Sequence, residues 1–167
     1  MIKSINLKYN SKADLETVKK DFINHPCEQI LIQVFSGLIE RDKIELILDD
    51  LKSCFPNIPI IGTTTAGEIM GSDVMDESVI INICFFESTR VNTTLVTHNH
   101  DLVATANEIS ASFSNSNPKA IILFGCGLKD KRTIDATILL STLYSKFPET
   151  IIAGAQAGDN GIVQCHL

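Results

Sequence analysis

The same short sequence landmarks return along this chain at a nearly constant spacing. A glycine–leucine pair, a phenylalanine–proline pair and an alanine–glycine pair each occur twice in the same order, at separations of 90, 92 and 91 residues. The pairs are Gly37-Leu38 and Gly127-Leu128, Phe55-Pro56 and Phe147-Pro148, and Ala66-Gly67 and Ala157-Gly158. A long fixed period indicates a repeated structural unit. We therefore predict an internal duplication, with one copy over 1–90 and a second, incomplete copy over 91–167.

Within each copy, short apolar runs alternate with amphipathic stretches. Runs rich in Ile and Val, such as 30–35 and 79–86, are typical of strands. The stretches after Ser11 and from Asp42 place apolar residues on one helical face, and each begins with a candidate capping box, Ser11 with Asp14 and Asp42 with Glu45. Two further helices are expected, one opened by Asp101 and one from about Thr133 to Lys146. Residues 91–96 alternate polar and apolar side chains, so we expect them to form a hairpin with 79–86. The predicted unit is strand, helix, strand, helix, strand, strand, which gives an α/β fold with a mixed sheet and helices packed outside it.

The length and composition are those of one globular domain, which we place over 1–167. Apolar residues make up 44% of the chain and charged residues 20%, as in ordinary globular proteins. The net charge is −6, and the 14 basic side chains are scattered rather than clustered, which argues against a nucleic-acid partner. The N-terminus lacks a signal-peptide pattern, and no run reaches the roughly 20 apolar residues that span a bilayer. We expect a cytoplasmic protein with no membrane span.

The cysteines predict reduced thiols rather than disulfides or a metal site. There are five, an odd number, and they are widely spaced: Cys27, Cys54, Cys84, Cys126 and Cys165. Buried cysteine packs as a small hydrophobic residue, and neither a CxxC pair nor a Cys/His cluster with zinc spacing is present. No metal or other cofactor is predicted.

Two glycine-rich segments follow predicted strands at matching places in the two copies. The first runs from Gly62 to Glu68 and the second from Gly154 to Asp159. In α/β folds, ligands bind beyond the carboxyl ends of strands, where such loops converge. Hydroxyls, an amide and two carboxylates suit a small zwitterion, with its amine on an acid and its carboxylate on the donors. The predicted ligand-binding residues are Ser36, Gly37, Thr63, Thr64, Thr65, Gly67, Glu68, Cys126, Gly127, Gln156, Gly158 and Asp159.

Four stretches of the chain resemble the FIST N domain. They are the run 59–68, the strand at 79–86, the Gly127-Leu128 corner and the sequence 157–160. The resemblance extends over most of the chain from about residue 25 onward. It implies a cytoplasmic sensory domain of a signal transduction protein that binds a small ligand such as an amino acid.

The resemblance also carries expectations about residues and partners. Gly67-Glu68 and Gly158-Asp159 hold the positions of the family's acidic loops. In the family, this domain is usually followed by a C-terminal FIST partner domain and often accompanies signalling output modules. Because the second copy lacks an equivalent of the strand at 79–86, we expect the sequence to continue in a longer protein.

Several alternatives remain open at the level of sequence. The glycines could serve only tight turns, with the acids bound to local backbone. Cys126, at a predicted strand-to-helix corner, would be the nucleophile of a cysteine-dependent hydrolase or acyl transferase if a base lay beside it. The pair His98 and His100 could bind a metal, and the Gly127 corner a phosphate, although no phosphate-binding glycine motif is present. A structural or protein-interaction domain is the remaining class.

Overall fold

The computed structural model describes residues 2–22, 29–98, 101–129 and 132–158. Its helices are α1 (Lys12–Phe22), α2 (Arg41–Cys54), α3 (Leu102–Ser112) and α4 (Ala136–Lys146). Its strands are β1 (Ile2–Lys8), β2 (Gln29–Ser36), β3 (Ile60–Thr64), β4 (Glu68–Met70), β5 (Asp73–Met75), β6 (Val79–Phe86), β7 (Ala120–Gly125), β8 (Leu128–Lys129), β9 (Arg132–Thr133) and β10 (Ile151–Gln156).

The first half of the chain forms a four-stranded mixed sheet in the order β1-β6-β2-β3. The strand β6 runs antiparallel to both β1 and β2, whereas β3 runs parallel to β2. Alternate residues of these strands pack with α1 and α2 into one core, which includes Leu15, Ile32, Ile47, Leu51, Ile81 and Ile83. This arrangement confirms the predicted α/β fold with a mixed sheet and helices outside it.

The second half places a parallel strand pair against two helices. The strands β7 and β10 pair in parallel, and α3 packs on α4 around a smaller core formed by Ala106, Ile109, Leu139 and Leu143. Leu123 of β7 and Ile152 of β10 pack against that core. The predicted duplication of a ninety-residue unit stays a prediction, although both halves contain a strand, a helix and a parallel strand in that order.

The predicted hairpin between 79–86 and 91–96 is wrong. Residues 91–98 form no strand. Both edges of β6 are already hydrogen-bonded, one to β1 and the other to β2, so no edge is left for a hairpin partner. Val96 instead packs against the core of the second half.

The helix starts agree with the sequence in two places and differ in two. Asp14 accepts hydrogen bonds from the backbone N–H groups of Asn10 and Ser11 at 2.8 and 2.9 Å, as the first capping box predicts. These bonds hold the pKa of the Asp14 carboxyl below its ordinary value. Asp101 caps α3 as predicted, accepting from Ala104 N at 2.8 Å.

The predicted capping box at the start of α2 is wrong. The helix is preceded by Glu40, whose side chain makes no cap hydrogen bond. Glu45, predicted to complete the box, accepts from Arg41 Nε at 2.7 Å instead. The helix α4 starts at Ala136 rather than near Thr133, because Arg132–Thr133 pairs with Leu128–Lys129 as a short strand.

None of the thiols inside the described ranges forms a disulfide. Cys54 is buried in the first core, whereas Cys84 and Cys126 are half-buried. Burial raises the pKa of the Cys54 and Cys84 thiols above the ordinary value, which keeps them protonated. Cys27 and Cys165 lie outside the described residues. No helix of the described part of the chain is long and apolar enough to cross a membrane.

Candidate functional site

Each parallel strand pair ends in the same way at its carboxyl end. The last paired residues are Ser36 with Thr64 in the first half and Gly125 with Gln156 in the second. One residue further on, Thr65 N donates to Ser36 O at 2.8 Å, and Ala157 N donates to Gly125 O at 2.7 Å. The two strand ends are thus built on the same hydrogen-bond pattern. It pairs Thr64 with Gln156, one residue away from the register expected from the alanine–glycine landmarks.

The two strand ends also contact each other. Gly158 N donates to Thr64 O at 2.9 Å, and a Cβ added to Gly158 would lie 2.8 Å from Ala66 N. Phe35 and Phe124, which precede the two strand ends, stack edge to face with ring centroids 5.6 Å apart. The structure therefore brings the two glycine-rich segments together, and Gly158 is the residue whose lack of a side chain allows the approach.

The loops within the two glycine-rich segments are shorter than the sequence predicts, because most residues of these segments belong to strands. Gly62, Thr63 and Thr64 lie within β3, and Gly154 to Gln156 lie within β10, so the first loop comprises only residues 65–67. A Cβ on Gly62 would lie 2.8 Å from Val34 O, and one on Gly154 would lie 1.8 Å from Leu123 O. These two glycines therefore permit close packing of neighbouring strands rather than the approach of a ligand.

Glu68 is buried and bonded inside the protein. It is 3% exposed and accepts hydrogen bonds from the Thr65 hydroxyl, from Ser78 N at 3.1 Å and from Ser78 Oγ at 2.5 Å. A Cβ on Gly37 would lie 2.8 Å from Glu68 Oε1. The carboxylate thus joins the end of β3 to the start of β6. This geometry favours the alternative in which the acid binds local groups, while contact between Glu68 and a ligand stays a prediction.

The turn after β2 lies beside the carboxylate of Glu68. Ser36 is buried, and its hydroxyl donates to Leu38 O at 2.8 Å and accepts from Leu38 N at 3.2 Å. Gly37 N donates to Ser78 O at 2.7 Å. The hydroxyl of Ser36 is therefore occupied by its own turn, and Gly37 lies directly beside the Glu68 carboxylate.

The remaining predicted residues of the first half are more accessible. Thr63, Thr64 and Thr65 are half-buried, and the Thr63 hydroxyl donates to Thr64 O at 3.1 Å. Gly67 is half-buried, and a Cβ there would lie 3.4 Å from Asp76 Oδ1. The three threonines are thus more exposed than Ser36 and Glu68, and the Thr65 hydroxyl donates to Glu68.

The second half contributes an amide and a glycine corner. Gln156 is exposed, and its Nε2 donates to Ile134 O at 2.9 Å. A Cβ on Gly127 would lie 3.2 Å from Ala157 O, so this glycine also permits close packing of two loops. Asp159, the predicted acid of this half, lies outside the described residues.

Cys126 does not sit at the start of a helix. It follows β7 and leads into the short strand β8, and α4 begins only at Ala136. The prediction of a thiol at a strand-to-helix corner, activated by a helix dipole, is therefore wrong. Of the four histidines, only His98 lies in the described ranges, so the predicted His98 and His100 pair lies partly outside them. In those ranges no group of three or more His, Cys, Asp or Glu side chains could hold a metal ion.

Sequence reasoning missed Ser78, which gives Glu68 two of its hydrogen bonds. The two residues are ten positions apart, and the β4–β5 hairpin between them folds the chain back on itself. No local spacing rule predicts such a contact. The one signal was the position of Ser78 directly before a strongly apolar strand, where a buried hydroxyl needs a partner.

A protein-family model matches most of the chain. It is the model of the FIST N domain, and it covers residues 30–166. Comparison with curated proteins gives no match, and comparison with solved structures gives none. The match includes the elements from β2 to β10 and both strand ends, whereas β1 and α1 precede it. It confirms the resemblance in the sequence. The chain belongs to the FIST N domain family, a family of sensory domains associated with signalling.

Proposed function

We propose that this domain is a non-enzymatic cytoplasmic sensor that binds a small ligand carrying an amine and a carboxylate, such as an amino acid. The proposed site is the junction of the two strand ends. The observation that carries the proposal is the 2.9 Å hydrogen bond from Gly158 N to Thr64 O. It supports a single site built from both halves, because it joins the donors and acceptors of the two segments at one place.

The ligand carboxylate would be bound by hydroxyl and amide donors. The hydroxyl proposed as a donor is that of Thr64, because the Thr63 and Thr65 hydroxyls already donate to Thr64 O and to Glu68. Gln156 uses one amide N–H on Ile134 O, and its second N–H is the proposed contact from the other half. Hydrogen bonds to a charged acceptor contribute about 1.5–3 kcal/mol each, so these two would give a weak but specific anchor.

The ligand amine would be bound on the acidic side of the junction. Asp159 is the proposed direct partner of the amine, by its place next to Gly158. Glu68 is buried with three hydrogen bonds from Thr65 and Ser78, so most of its roughly four acceptor sites are occupied. Its proposed role is to hold Thr65 in place and to add negative charge near the amine.

A thermal-shift screen tests this proposal. The protein would be screened against the twenty amino acids, a set of nucleotides and short carboxylates such as acetate and succinate. At a concentration of about 100 times Kd, a ligand adds roughly 2.7 kcal/mol to the free energy of unfolding. For a domain of this size, that raises Tm by about 5–10 °C.

Two variants test whether the ligand-induced shift of Tm comes from binding at the junction of the two strand ends. Thr64→Val and Gln156→Ala should each lower the affinity for the active amino acid at least fivefold, since each removes a proposed donor. Leu46→Ala, at a 61% exposed position of α2 that belongs to neither strand end, is the control and should leave the affinity unchanged. If no amino acid shifts Tm while another class of compound does, the proposed ligand class is wrong.

The enzymatic alternative at Cys126 has lost its main structural support, since no helix starts at that corner. In our proposal Cys126 lines the junction without reacting. Cys126→Ala should therefore retain the amino-acid-induced shift of Tm. A time-dependent turnover of a thioester or ester substrate that disappears in Cys126→Ala would instead establish catalysis.

The output of the sensor is proposed to lie outside this domain. Family membership suggests a C-terminal FIST partner domain or a signalling output module in the longer protein as the receiver. Occupancy of the junction would reach such a partner through the elements that Glu68 connects, which are the end of β3, the β4–β5 hairpin and the start of β6.

A further inference from the structure

The β4–β5 hairpin turns its two β-branched side chains to solvent. Its inward face carries Glu68, which is 3% exposed, and the half-buried Met70 and Met75. Its outward face carries Ile69 and Val74, which are directly paired across the two strands and are 71% and 76% exposed. A hairpin lying on a protein normally has charged or polar side chains on the face that meets water. Here that face presents a pair of apolar residues instead.

The hairpin is held in place by contacts at both of its ends. Its first residue, Glu68, is bonded to Thr65 and to Ser78, which flank the two ends of the hairpin segment. The strand β4 also contacts β6 and β1. The turn at Gly71 has a positive φ of 65°, which glycine adopts without strain. The outward direction of Ile69 and Val74 is therefore a fixed property of the fold.

The charged residues next to the apolar pair within the hairpin segment are acidic. Asp73, Asp76 and Glu77 are exposed, and residues 67–78 contain neither Lys nor Arg. An apolar centre with a polar rim is typical of a protein-binding surface. Its complement is an apolar patch with a basic rim, because like charges facing each other across an interface oppose binding.

We propose that the outward apolar pair of the β4–β5 hairpin, Ile69 and Val74, together with the exposed acids beside it, Asp76 and the turn-end Asp73, docks a second protein or domain that presents an apolar patch rimmed by Lys and Arg. This surface is distinct from the strand-end junction, and Glu68 connects the two. Ile69 and Val74 fill the centre of the interface, and the acids accelerate and orient the encounter. The contact weakens as salt is added, since the charges at its rim are screened.

Site-specific photocrosslinking tests this inference. A photoreactive phenylalanine would replace Ile69 or Val74 in the full-length protein inside its own cells, and crosslinked peptides would be identified by mass spectrometry. The same residue at Leu46, which is 61% exposed on α2, is the matched control. Both hairpin positions should crosslink to one surface of one partner, and that surface should contain an apolar centre with Lys and Arg around it.

The affinities of hairpin variants for the identified partner then test the proposed apolar and charged contacts of the interface. Ile69→Ser and Val74→Ser should each lower it at least tenfold, and Asp73→Lys with Asp76→Lys should lower it and remove its salt dependence. Leu46→Ser should change nothing. Absence of crosslinks, crosslinks only to a second copy of this chain, or a partner surface with an acidic rim would overturn the inference. Because Ile69 and Val74 are exposed, the Tm of each serine variant should stay within about 2 °C of the Tm of the parent protein. This result would show that the variants fold.

Discussion

Glu68 is the residue whose interpretation changes most between sequence and structure. Its position after Gly67 suggests an accessible acid in a ligand loop. In the structure it is buried and bonded to Thr65 and Ser78. The sequence could predict that an acid mattered here, because a carboxylate between apolar strands is unusual. It could not predict the partner, because Ser78 reaches Glu68 only after the hairpin between them has folded.

Replacing Glu68 by glutamine should destabilise the domain. The neutral amide offers one acceptor oxygen in place of two, so a buried donor of Ser78 or Thr65 is left without a partner. The expected loss is about 1–3 kcal/mol in the free energy of unfolding, measured by urea denaturation. The control is Glu45→Gln, in an exposed ion pair with Arg41, which should leave the midpoint unchanged. Equal midpoints for the two variants would show that the Glu68 bonds contribute nothing.

Gly158 and Gly125 form a matched pair for testing the junction. A Cβ on Gly158 would lie 2.8 Å from Ala66 N, whereas a Cβ on Gly125 would meet nothing within 4 Å. Gly158→Ala should therefore push the strand ends apart and destabilise the domain by about 1–3 kcal/mol. Gly125→Ala should have little effect on the same denaturation curve. The opposite order of the two variants would contradict the contact between the strand ends.

At the scale of elements, the sequence predicts the position of β6 correctly but predicts the wrong partner strand for it. Its β-branched, apolar sequence identifies it as a buried strand. Residues 91–96 are predicted as its hairpin partner because they are near in the chain and alternate polar and apolar side chains. Pairing between strands distant in the chain, such as β1 with β6, depends on how the whole sheet assembles, and local patterns carry little information about it.

Hydrogen exchange distinguishes the two arrangements of β6. Because both neighbours of β6 are strands, the amides of Ile81 and Ile83 should be among the slowest to exchange in the domain. Residues 91–98, which form no strand, should exchange quickly. Strong protection across 91–96, comparable with that of β6, would show that the predicted hairpin forms after all.

At the scale of the whole molecule, the repeated landmarks were the most informative signal in the sequence. They predict that the strand ends of the two halves correspond. Both ends have the same hydrogen-bond pattern, from Thr65 to Ser36 and from Ala157 to Gly125, but it lies one residue away from the register of the alanine–glycine landmarks, and the duplication stays a prediction. They could not predict how the halves meet. That depends on single contacts, such as Phe35 with Phe124 and Gly158 with Thr64, which no period in the sequence encodes.

An NMR titration with an amino acid that raises Tm tests most directly whether the junction of the two halves is the ligand site. We predict that the backbone amide signals of Thr64, Thr65 and Gly158, together with the side-chain amide of Gln156, shift with one common saturation curve. Signals of the second core, such as Leu143, should stay in place. Saturable shifts confined to one half, or absent from all of these residues, would contradict the proposed site.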